Sequence, residues 1–374
     1  MKGCGVIMAM SGGVDSSVSA AILKEKGYAV HGVHLRITAP EWPGCSSGED
    51  ERDAARVAAV LGIPFTVLDY SLQYKEKVIE EMLCEYKAGR TPNPDVSCNR
   101  EIKFGLLYDW AMAQGAAYLA TGHYARKYIS TIQSSRDHIP SHAVTGDVVE
   151  LIGNNLRVAF DKNKDQTYFL WTLTQEKLQH AFFPIGDYAK KDVRALARKF
   201  KLPTAEKKDS QGLCFVGQLD MKDFLKNHWH PQPGKVLDEN GNIIGTHEGA
   251  MLYTLGERHG FSVNASSPKQ KPLFVVAKDL KQNTITVSHD KLIFWTRRVQ
   301  IESCNWIGEA PEEEKRCQAR MRYQQPLQRC EVRRTEDGVM VAFDEAQIAS
   351  PGQSLVLYDN DTCLGGGVIT DNVL

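Results

Sequence analysis

The sequence feature that most constrains the fold is a short glycine–serine loop between an apolar run and a helical pattern. Residues 5–10 predict a buried strand, residues 11–17 read Ser-Gly-Gly-Val-Asp-Ser-Ser, and residues 16–26 predict a helix that Gly27 ends. Paired glycines let a backbone approach a phosphate closely, and a helix N-terminus favours negative charge. A strand, a glycine loop and a helix in this order predict a nucleotide site in an α/β sheet.

The first half of the chain continues this alternation of strands and helices. Further strands are predicted at residues 29–35, 65–68 and 117–121, with helices at residues 50–61, 72–86 and 102–114. Strands separated by helices predict a doubly wound parallel sheet, in which ligands bind beyond the carboxyl ends of the strands. We therefore expect a Rossmann-like α/β domain over residues 1–210.

The second half changes character. Residues 165–179 and 187–200 still predict helices, whereas residues 129–155, rich in Ser, Thr, His and Gly, predict a hairpin or surface loop. Short strands separated by Gly and Pro predict a small central α+β domain at residues 211–280. From residue 284 to residue 374, short alternating strands with turn residues predict a C-terminal β-barrel.

The charge balance and the cysteine pattern limit the kinds of partner and the cellular compartment that we expect. The 45 Lys and Arg residues nearly balance the 46 Asp and Glu residues, so a nucleic-acid surface requires a local basic patch. No run has the length and apolarity of a membrane span. The nine cysteines contain no C-x-x-C pair and are odd in number, which argues against a zinc ribbon and a secreted disulfide framework. We expect a cytoplasmic protein without a membrane partner.

The loop itself lacks the lysine of a Walker sequence, so it predicts a different way of handling phosphates. Ser11, Ser16 and Ser17 offer hydroxyl donors, and Asp15 is placed to hold Mg²⁺ against the phosphates. The string S-G-G-x-D-S resembles the PP-loop of ATP pyrophosphatases. That resemblance implies cleavage of ATP between the α- and β-phosphates. A glycine–serine turn that merely joins strand to helix is the alternative interpretation.

Two cysteines stand apart from the others by their surroundings. Cys98 is predicted to lie just before a helix, where the helix dipole and the nearby Arg100 favour a thiolate, and Asp95 is a candidate general base. Cys214 follows two lysines and Gly212, and positive charge there would stabilise a thiolate or a persulfide anion. Either thiol could instead be an inert core residue, so the residues alone leave both interpretations open.

Taken together, these motifs resemble the tRNA-specific 2-thiouridylase family of PP-loop enzymes. The resemblance extends over nearly the whole chain and is carried by residues 11–17, 86–95, 98–99, 102–104, 120–124, 164–166, 208–210, 212, 214–215, 232–234, 254–256, 322–323, 351–354 and 363–367. It implies that ATP adenylates the C2 oxygen of uridine 34 in the tRNAs for Lys, Glu and Gln, and that persulfide sulfur replaces that oxygen. The products would be 2-thiouridine, AMP and pyrophosphate.

The resemblance also implies a role for each matching residue. Cys214 would carry the persulfide, and Cys98 would be the nucleophile that forms a disulfide with it as sulfur is released. The implied ATP site consists of Ala9, Met10, Ser11, Gly12, Gly13, Val14, Asp15, Ser16, Leu35 and Gly122. The implied tRNA contacts are Asn93, Pro94, Asp95, His123, Lys164, Asp165, Gln166, Arg322, Tyr323 and Gln353. Of these, residues 93–95 would meet the flipped base, since a base in an anticodon loop is easily extruded.

The implied partners are tRNA and a persulfide donor, either a cysteine desulfurase or a sulfur-relay protein, and we expect the enzyme to act as a monomer. The chain departs from the family pattern in two places. The stretch between His123 and Lys164 is longer than usual, which predicts a surface elaboration. Residues 39–48 lack the usual Lys-Asn-Trp and acidic run, which leaves the role of Cys45 open and requires Leu35 to serve adenine through its backbone.

Three alternatives to this interpretation remain at the level of sequence. The chain could be an amide-forming PP-loop synthetase that uses ammonia, which would need no cysteine pair. It could be a non-catalytic RNA-binding protein, which would tolerate the loss of Cys98 and Cys214. It could be an iron–sulfur thiolase with a cluster on those two cysteines and a third, although no cluster-type spacing is present.

Overall fold

The computed structural model describes residues 5–38, 47–131, 151–209, 221–264, 271–290, 295–311, 313–336 and 338–373. Cys45, Cys214 and residues 132–150 of the predicted surface elaboration lie outside the described residues.

A five-stranded parallel sheet forms the first domain, as the alternating pattern predicted. The strands are β1 (Val6–Ala9), β2 (Val30–Arg36), β3 (Phe65–Asp69), β4 (Tyr118–Ala120) and β7 (Ala181–Phe182), in the order β3-β2-β1-β4-β7. β1 is central, and Val6, Ile7 and Met8 are fully buried because helices cover both faces of the sheet. The helices are α1 (Val14–Glu25), α2 (Ser47–Leu61), α3 (Ser71–Tyr74), α4 (Glu80–Lys87), α5 (Pro94–Ser97), α6 (Tyr108–Ala113), α7 (Gln175–Gln179) and α8 (Lys190–Lys199).

The helical run that carries Cys98 begins earlier than its apolar pattern indicated. Asn93 caps α5, because its side chain accepts a hydrogen bond from the Val96 N–H, and Pro94 occupies the first helical position. A π-helical segment, Cys98–Leu107, joins α5 to α6, and another, Lys75–Ile79, joins α3 to α4. Cys98 therefore lies inside a helical run rather than in front of it.

The helix predicted at residues 165–179 is wrong over most of its length. Only a 3₁₀ turn, Thr167–Phe169, and the short helix α7 form there. The Asp165 carboxylate accepts hydrogen bonds from the Thr167 N–H and hydroxyl, which offers the backbone an alternative to helical bonding. Thr174 then starts α7 by accepting a hydrogen bond from the Lys177 N–H.

Residues of the predicted first domain also enter the C-terminal sheet. β5 (Ala125–Thr131) and β6 (Leu151–Val158) pair antiparallel, and β6 then pairs with β18 (Thr362–Val373) through Thr362 opposite Arg157 and Cys363 opposite Leu156. The predicted hairpin therefore exists, and it extends the sheet of the barrel. Local sequence gave no sign of this pairing.

The central domain is a second five-stranded sheet packed beside helix α9 (Met221–Trp229). Its strands are β8 (Gly234–Leu237), β9 (Ile243–His247), β10 (Phe261–Val263), β11 (Phe274–Asp279) and β12 (Thr284–Ser288), in the order β10-β9-β8-β12-β11. β12 pairs with β8 and β11, so residues 284–288 belong to the central sheet and not to the barrel.

The C-terminal domain is a closed six-stranded barrel, in agreement with the predicted fold class. Its strands are β13 (Trp295–Trp306), β14 (Lys315–Arg320), β15 (Gln328–Thr335), β16 (Gly338–Ile348), β17 (Ser354–Asp359) and β18. The pairing of β13 with β18 closes it, and its interior contains Val299, Ile301, Val341, Leu355 and Leu357. Across the described ranges of the whole chain, every helix is too short or too polar to cross a membrane.

Candidate functional site

The glycine–serine loop joins β1 to α1 at the carboxyl edge of the parallel sheet. Gly12 has φ of +78°, and a side chain there would clash with the backbone carbonyl of Asp50 at the start of α2. Gly122 follows β4, and a Cβ added to it would lie 2.7 Å from the Ser16 N–H. Both glycines are therefore required for the close approach of three backbone segments around the loop.

The serines of the loop bond mainly to the loop itself. The Ser16 and Ser17 hydroxyls donate to the Gly13 carbonyl at 3.1 and 2.7 Å, and the Ser11 N–H donates to the Ser16 hydroxyl at 3.2 Å. Ser11 is exposed, whereas Val14 is buried against the sheet. This bonding fixes the loop in advance, with the N-terminus of α1 directed out of the sheet edge.

A group of charged side chains lies against this loop, and we call Asp15, Lys164, Lys190, Arg194 and Asp209 the Lys190 cluster. The Lys190 ammonium contacts both Asp15 carboxylate oxygens, at 2.8 and 2.9 Å, and Asp209 Oδ1 at 2.9 Å. Lys164 and Arg194 contact Asp209 at 3.0 and 2.6 Å. Three cations thus face the Asp15 and Asp209 carboxylates, and a further carboxylate, Asp161, accepts a hydrogen bond from the Lys190 N–H at 3.0 Å.

The pKa of Asp209 reflects these contacts. Burial on its own raises the pKa of this carboxyl, but the hydrogen bonds from Lys190 and Lys164 outweigh burial and lower the pKa to about 2. The Tyr124 hydroxyl donates to Asp15 at 2.9 Å, and burial together with the Asp15 charge raises the pKa of Tyr124. Asp209 is therefore held in its charged form, and both carboxylates are bound on several sides.

The backbone just before Asp209 is tied to the nucleotide loop by a second set of contacts. Arg194 donates to the carbonyls of Ala205 and Lys207 at 2.8 and 2.5 Å. The Lys207 ammonium contacts Asp50 at 2.7 Å and Asp53 at 2.6 Å, at the start of α2 beside Gly12. Residues 205–209 therefore lie directly against the loop, and the chain enters the undescribed stretch around Cys214 from this position.

Cys98 is fully buried in the largest apolar cluster of the molecule. The same cluster contains Leu35 on β2, which is also buried, together with Val96 and Ile102. The neighbouring Asn99 donates its side-chain amide to the Phe169 carbonyl at 3.0 Å. Reaction of the Cys98 thiol with any substrate therefore requires a local opening of this helical run.

The loop that leads into the Cys98 helix is held by the two other domains. The Gln353 side-chain amide donates to the carbonyls of Thr91 and Pro92 at 2.8 and 3.1 Å, and the Thr91 N–H donates to the Pro351 carbonyl at 2.8 Å. The Thr91 hydroxyl lies 3.2 Å from that of Thr254 in the central domain. All three domains therefore meet just before Asn93, Pro94 and Asp95.

Arg322 and Tyr323 lie in an exposed turn after β14 at this same junction. Arg322 donates to the Leu255 carbonyl at 2.9 Å, which fixes its stem and leaves much of the side chain at the surface. The Tyr323 ring lies 4.7 Å from the ring of Phe169, the residue whose carbonyl Asn99 contacts. The turn thus presents an aromatic face and a cation beside the Cys98 helix.

Asp165 and His123 were expected at the tRNA surface, and the structure buries both. Asp165 pairs with the buried Arg320 of β14, so it connects the first domain to the barrel. His123 contacts the Thr121 hydroxyl at 2.8 Å, and burial lowers its pKa well below the usual value. Only 2% of Asp165 and 7% of His123 are exposed, so direct contact with tRNA stays a prediction for these two residues.

The remaining predicted contacts lie nearer the surface. The half-exposed Lys164 belongs to the Lys190 cluster, and Gln166 accepts a hydrogen bond from the Tyr124 N–H at 2.9 Å. Contacts thus lead from the nucleotide loop through Lys190 and Asp209 to Lys164, and the neighbouring Asn163 carbonyl accepts a hydrogen bond at 3.2 Å from Gln324 of the Arg322 turn.

Sequence reasoning missed Lys190 and Arg194. Both lie on an amphipathic helix whose cationic face is typical of any solvated surface, and Lys190 meets Asp15 across 175 positions of sequence. The only local signal was the Lys-Asp-Ser string at residues 208–210, which had no assigned partner.

Comparisons with known proteins give a consistent set of matches. Residues 4–218 match the family described as tRNA methyl transferase HUP domain, residues 222–289 match its PRC-barrel domain, and residues 296–369 match the aminomethyltransferase beta-barrel domain.

Among curated relatives, the tRNA-specific 2-thiouridylase MnmA of Francisella tularensis is 42% identical over an alignment of 372 residues, which covers 97% of this chain and 98% of the relative. The protein of the same name from Francisella philomiragia matches with the same identity and coverage. A solved structure, the U34-tRNA thiolase NcsA from Methanococcus maripaludis, covers 60% of this chain and 66% of its own at 16% identity, with a TM-score of 0.34. That structural likeness is too weak to support any argument.

Proposed function

The chain belongs to the tRNA-specific 2-thiouridylase family, and from this premise we propose how its residues divide the work of an ATP-dependent tRNA sulfurtransferase. The enzyme replaces the C2 oxygen of a tRNA uridine with sulfur, using ATP to make that oxygen a leaving group. The observation that carries the proposal is the Lys190 cluster. It joins the nucleotide loop to the segment that leads into Cys214.

The family that matches residues 4–218 is described as a tRNA methyl transferase, so methylation of tRNA is a second candidate activity. Methyl transfer to RNA needs a methyl donor, whereas the loop at the end of β1 is shaped by its own hydrogen bonds for a phosphate. The Ser11–Gly13 backbone, the dipole of α1 and the Lys190 ammonium all favour a polyphosphate. Thiolation uses such a site directly, and we therefore favour it over methylation.

In the nucleotide half, we assign the loop to the phosphates of ATP. The N-terminus of α1 and the Lys190 ammonium would stabilise the charge that develops on pyrophosphate as the C2 oxygen attacks the α-phosphate. Lys190 has Asp15 and Asp209 as partners, so it can turn toward phosphate while the cluster keeps other cations on Asp209. Ala9, Met10 and Leu35 border the loop at the ends of β1 and β2 and form the proposed adenine side.

Mg²⁺ is the expected companion of ATP, and Asp15 is the residue that would hold it. A carboxylate at the loop fits a hard cation whose other ligands are phosphate oxygens and water. Such an ion would neutralise charge on the phosphates. Because both Asp15 oxygens face Lys190, the ion and the ammonium would share this carboxylate.

In the sulfur half, we assign Cys214 as the persulfide carrier and Cys98 as the resolving nucleophile. The outer persulfide sulfur attacks C2 of the adenylated uridine, a carbon–sulfur bond forms, and AMP leaves. The Cys98 thiolate then attacks the inner sulfur of Cys214, the persulfide S–S bond breaks, and a Cys98–Cys214 disulfide remains. An external thiol must reduce this disulfide before the next turnover. Asp95 is the proposed base for Cys98.

The proposed tRNA surface follows the exposed residues at the junction of the three domains. Tyr323 and Arg322 offer a stacking plane and a cation, Lys164 adds positive charge, and Asn93 with Pro94 borders the pocket for the extruded base. Asp165, His123, Gln166 and Gln353 act behind this surface, by positioning the segments that carry the contact residues. We further propose uridine 34 of the anticodon loop as the target and a cytoplasmic persulfide-bearing protein as the sulfur donor.

The test is reconstitution with purified protein, ATP, Mg²⁺, a persulfide donor and unmodified tRNA. We expect 2-thiouridine at position 34, together with AMP and pyrophosphate, measured by mass spectrometry of digested tRNA. Methylated uridine without thiolation would reject the assignment in favour of the second candidate. Active protein that is colourless and free of iron would reject the iron–sulfur alternative.

Single substitutions distinguish the proposed roles of Cys98 and Cys214. Cys98→Ser should accumulate a persulfide on Cys214 and make no 2-thiouridine, whereas Cys214→Ser should not be loaded. The matched control is Cys84→Ser, because Cys84 is an exposed free thiol on α4. Full activity of either the Cys98 or the Cys214 variant would overturn the two-cysteine scheme.

A further inference from the structure

Two thiols face each other in the C-terminal barrel, apart from the proposed sulfur-transfer pair. Cys317 on β14 and Cys330 on β15 are direct partners across the antiparallel ladder, and their sulfur atoms are 3.7 Å apart. Directly opposed residues of such strands hold their Cβ atoms about 4.5–5.5 Å apart, close to the roughly 3.5–4.5 Å of a disulfide. Side-chain rotation and a small strand adjustment would therefore suffice for a bond.

The two thiols differ in their access to solvent. Cys330 is fully buried, whereas Cys317 is only partly buried. Both line a surface cavity of about 410 Å³, whose wall also contains Arg316, Arg329 and Tyr358. A small reagent in this cavity meets Cys317 first and finds Cys330 directly behind it.

Local hydrogen bonding makes Cys317 the more reactive member of the pair. Either thiol can donate in the contact between them, and donation from Cys330 lowers the pKa of Cys317. Lys315 also lowers this pKa, whereas burial and Asp359 oppose the shift. Burial raises the pKa of two other barrel thiols, Cys304 to about 11 and Cys363 to about 12. Cys317 is thus the barrel thiol best suited to attack an oxidant.

We propose that Cys317 and Cys330 form a reversible redox site, which a hydroperoxide entering the adjacent cavity converts to a cross-strand disulfide. The proposal does not depend on the function proposed above, because it uses neither Cys98 nor Cys214.

The chemistry balances with hydroperoxide as the named oxidant. The Cys317 thiolate attacks one peroxide oxygen, the O–O bond breaks, and hydroxide leaves to give a sulfenic acid. The Cys330 sulfur then attacks the Cys317 sulfur, the S–O bond breaks, and the departing hydroxide takes the Cys330 proton as water. The thiols together lose two electrons and two protons, and a dithiol reductant restores them.

This site lies on a strand that also helps to join two domains. Arg320, the partner of Asp165, is three residues beyond Cys317 on β14, and the Arg322 turn follows. A covalent link between β14 and β15 would therefore restrict the strand that supports this turn.

The test treats the reduced full-length protein with hydrogen peroxide, blocks remaining thiols by alkylation, and maps the tryptic peptides by mass spectrometry. Trypsin releases residues 317–320 and 330–333 as separate peptides. We expect them to appear as one linked species, two hydrogens lighter than their sum, that dithiothreitol separates. If Cys317 is instead oxidised to sulfinic acid without linkage, the proposal is wrong.

Substitutions then assign the roles of the two thiols. Cys330→Ala should leave a sulfenic acid on Cys317 that dimedone traps, and Cys317→Ala should lower dimedone labelling of this strand pair by at least about tenfold. Cys363→Ser, which alters a buried thiol outside the pair, should form the link as the wild type does. Equal labelling of Cys330 after loss of Cys317 would overturn the proposal. The wild-type peptide map tests the proposal by itself. Absence of the linked species there would overturn the proposal, even if one of the variants failed to fold.

Discussion

Two of the charged clusters in the described part of the chain combine basic side chains with aspartates but differ in how far they are buried. In the Lys190 cluster, Lys190 and Asp209 remain 16% and 33% exposed, and each has more than one partner. At the junction of the first domain with the barrel, Arg320 and Asp165 are only 8% and 1% exposed. There the Arg320 guanidinium also bonds to the Tyr358 hydroxyl at 3.0 Å, and Asp165 accepts from Thr167 at 2.8 Å.

The comparison indicates that burial determines whether an ion pair can bind a ligand or can only stabilise the fold. A partly exposed cluster with several partners can exchange one of them for a phosphate at small cost, because water and the remaining cations screen the change. A buried pair cannot lose a partner without leaving a charge in a medium that solvates it poorly. We therefore assign the Lys190 cluster to ligand binding and the Arg320–Asp165 pair to holding the domains in place.

The largest effect is expected from breaking the buried pair. Arg320→Met should lower the free energy of unfolding by about 3–5 kcal/mol, because it leaves the Asp165 carboxylate buried without its cation. Chemical denaturation followed by tryptophan fluorescence, to which the buried Trp171 contributes, measures this loss. The double variant Arg320→Met with Asp165→Asn should recover part of it. A loss under about 1 kcal/mol in the single variant would contradict the assigned role.

The next effect should appear in activity and not in stability. Lys190→Met should lower kcat/KM for thiolation by about 10²–10³-fold, because a cation aimed at the phosphates is lost. The free energy of unfolding should change by less than about 1 kcal/mol. Lys191→Met is the matched control, since Lys191 is the exposed neighbour on the same helix. Steady-state kinetics with varied ATP measures the loss of activity, and denaturation curves measure any loss of stability. Equal kcat/KM values for the Lys190 and Lys191 variants would reject the phosphate role.

A smaller effect is expected from neutral hydrogen bonds at the domain junction. Gln353→Ala removes two hydrogen bonds to the Thr91 and Pro92 carbonyls and should cost about 1–2 kcal/mol of unfolding free energy. It should also lower kcat for thiolation while the KM for ATP stays the same, because the loop before Cys98 loosens. Gln300→Ala, on the exposed side of β13, serves as the control. A raised KM for ATP would instead connect Gln353 to the nucleotide loop.

The smallest effect concerns pH. The pKa of Asp209 is lowered in the folded state to about 2, so its ionic contacts stabilise the protein fully above the unfolded-state pKa, near 4. This contribution is lost as the pH falls from about 4 to about 2. Because Asp209 is one-third exposed, we expect less than about 1 kcal/mol. Unfolding curves of wild type and Asp209→Asn should converge over this interval, and a difference independent of pH would exclude the ionic explanation.

The sequence predicts the parts of the fold and of the site that depend on contacts between neighbouring residues. The strand, glycine loop and helix around Gly12 could be predicted because each residue acts on its immediate neighbours. Lys190 could not, because its partner Asp15 is far away in sequence and an amphipathic helix surface gives no sign of it. The helix predicted at residues 165–179 failed for a related reason, since the Asp165 side chain bonds to Thr167 and to Arg320 of another domain.

The pairing of β6 with β18 has a consequence for biosynthesis. A ribosome releases β6 long before β18, which contains the last strand residues of the chain. At typical elongation rates the wait is on the order of ten seconds or more, and during it the open edge of β6 has no strand to pair with. Nascent protein truncated before residue 362 would lack the β18 residues that pair with Arg157 and Leu156, and would keep that edge exposed.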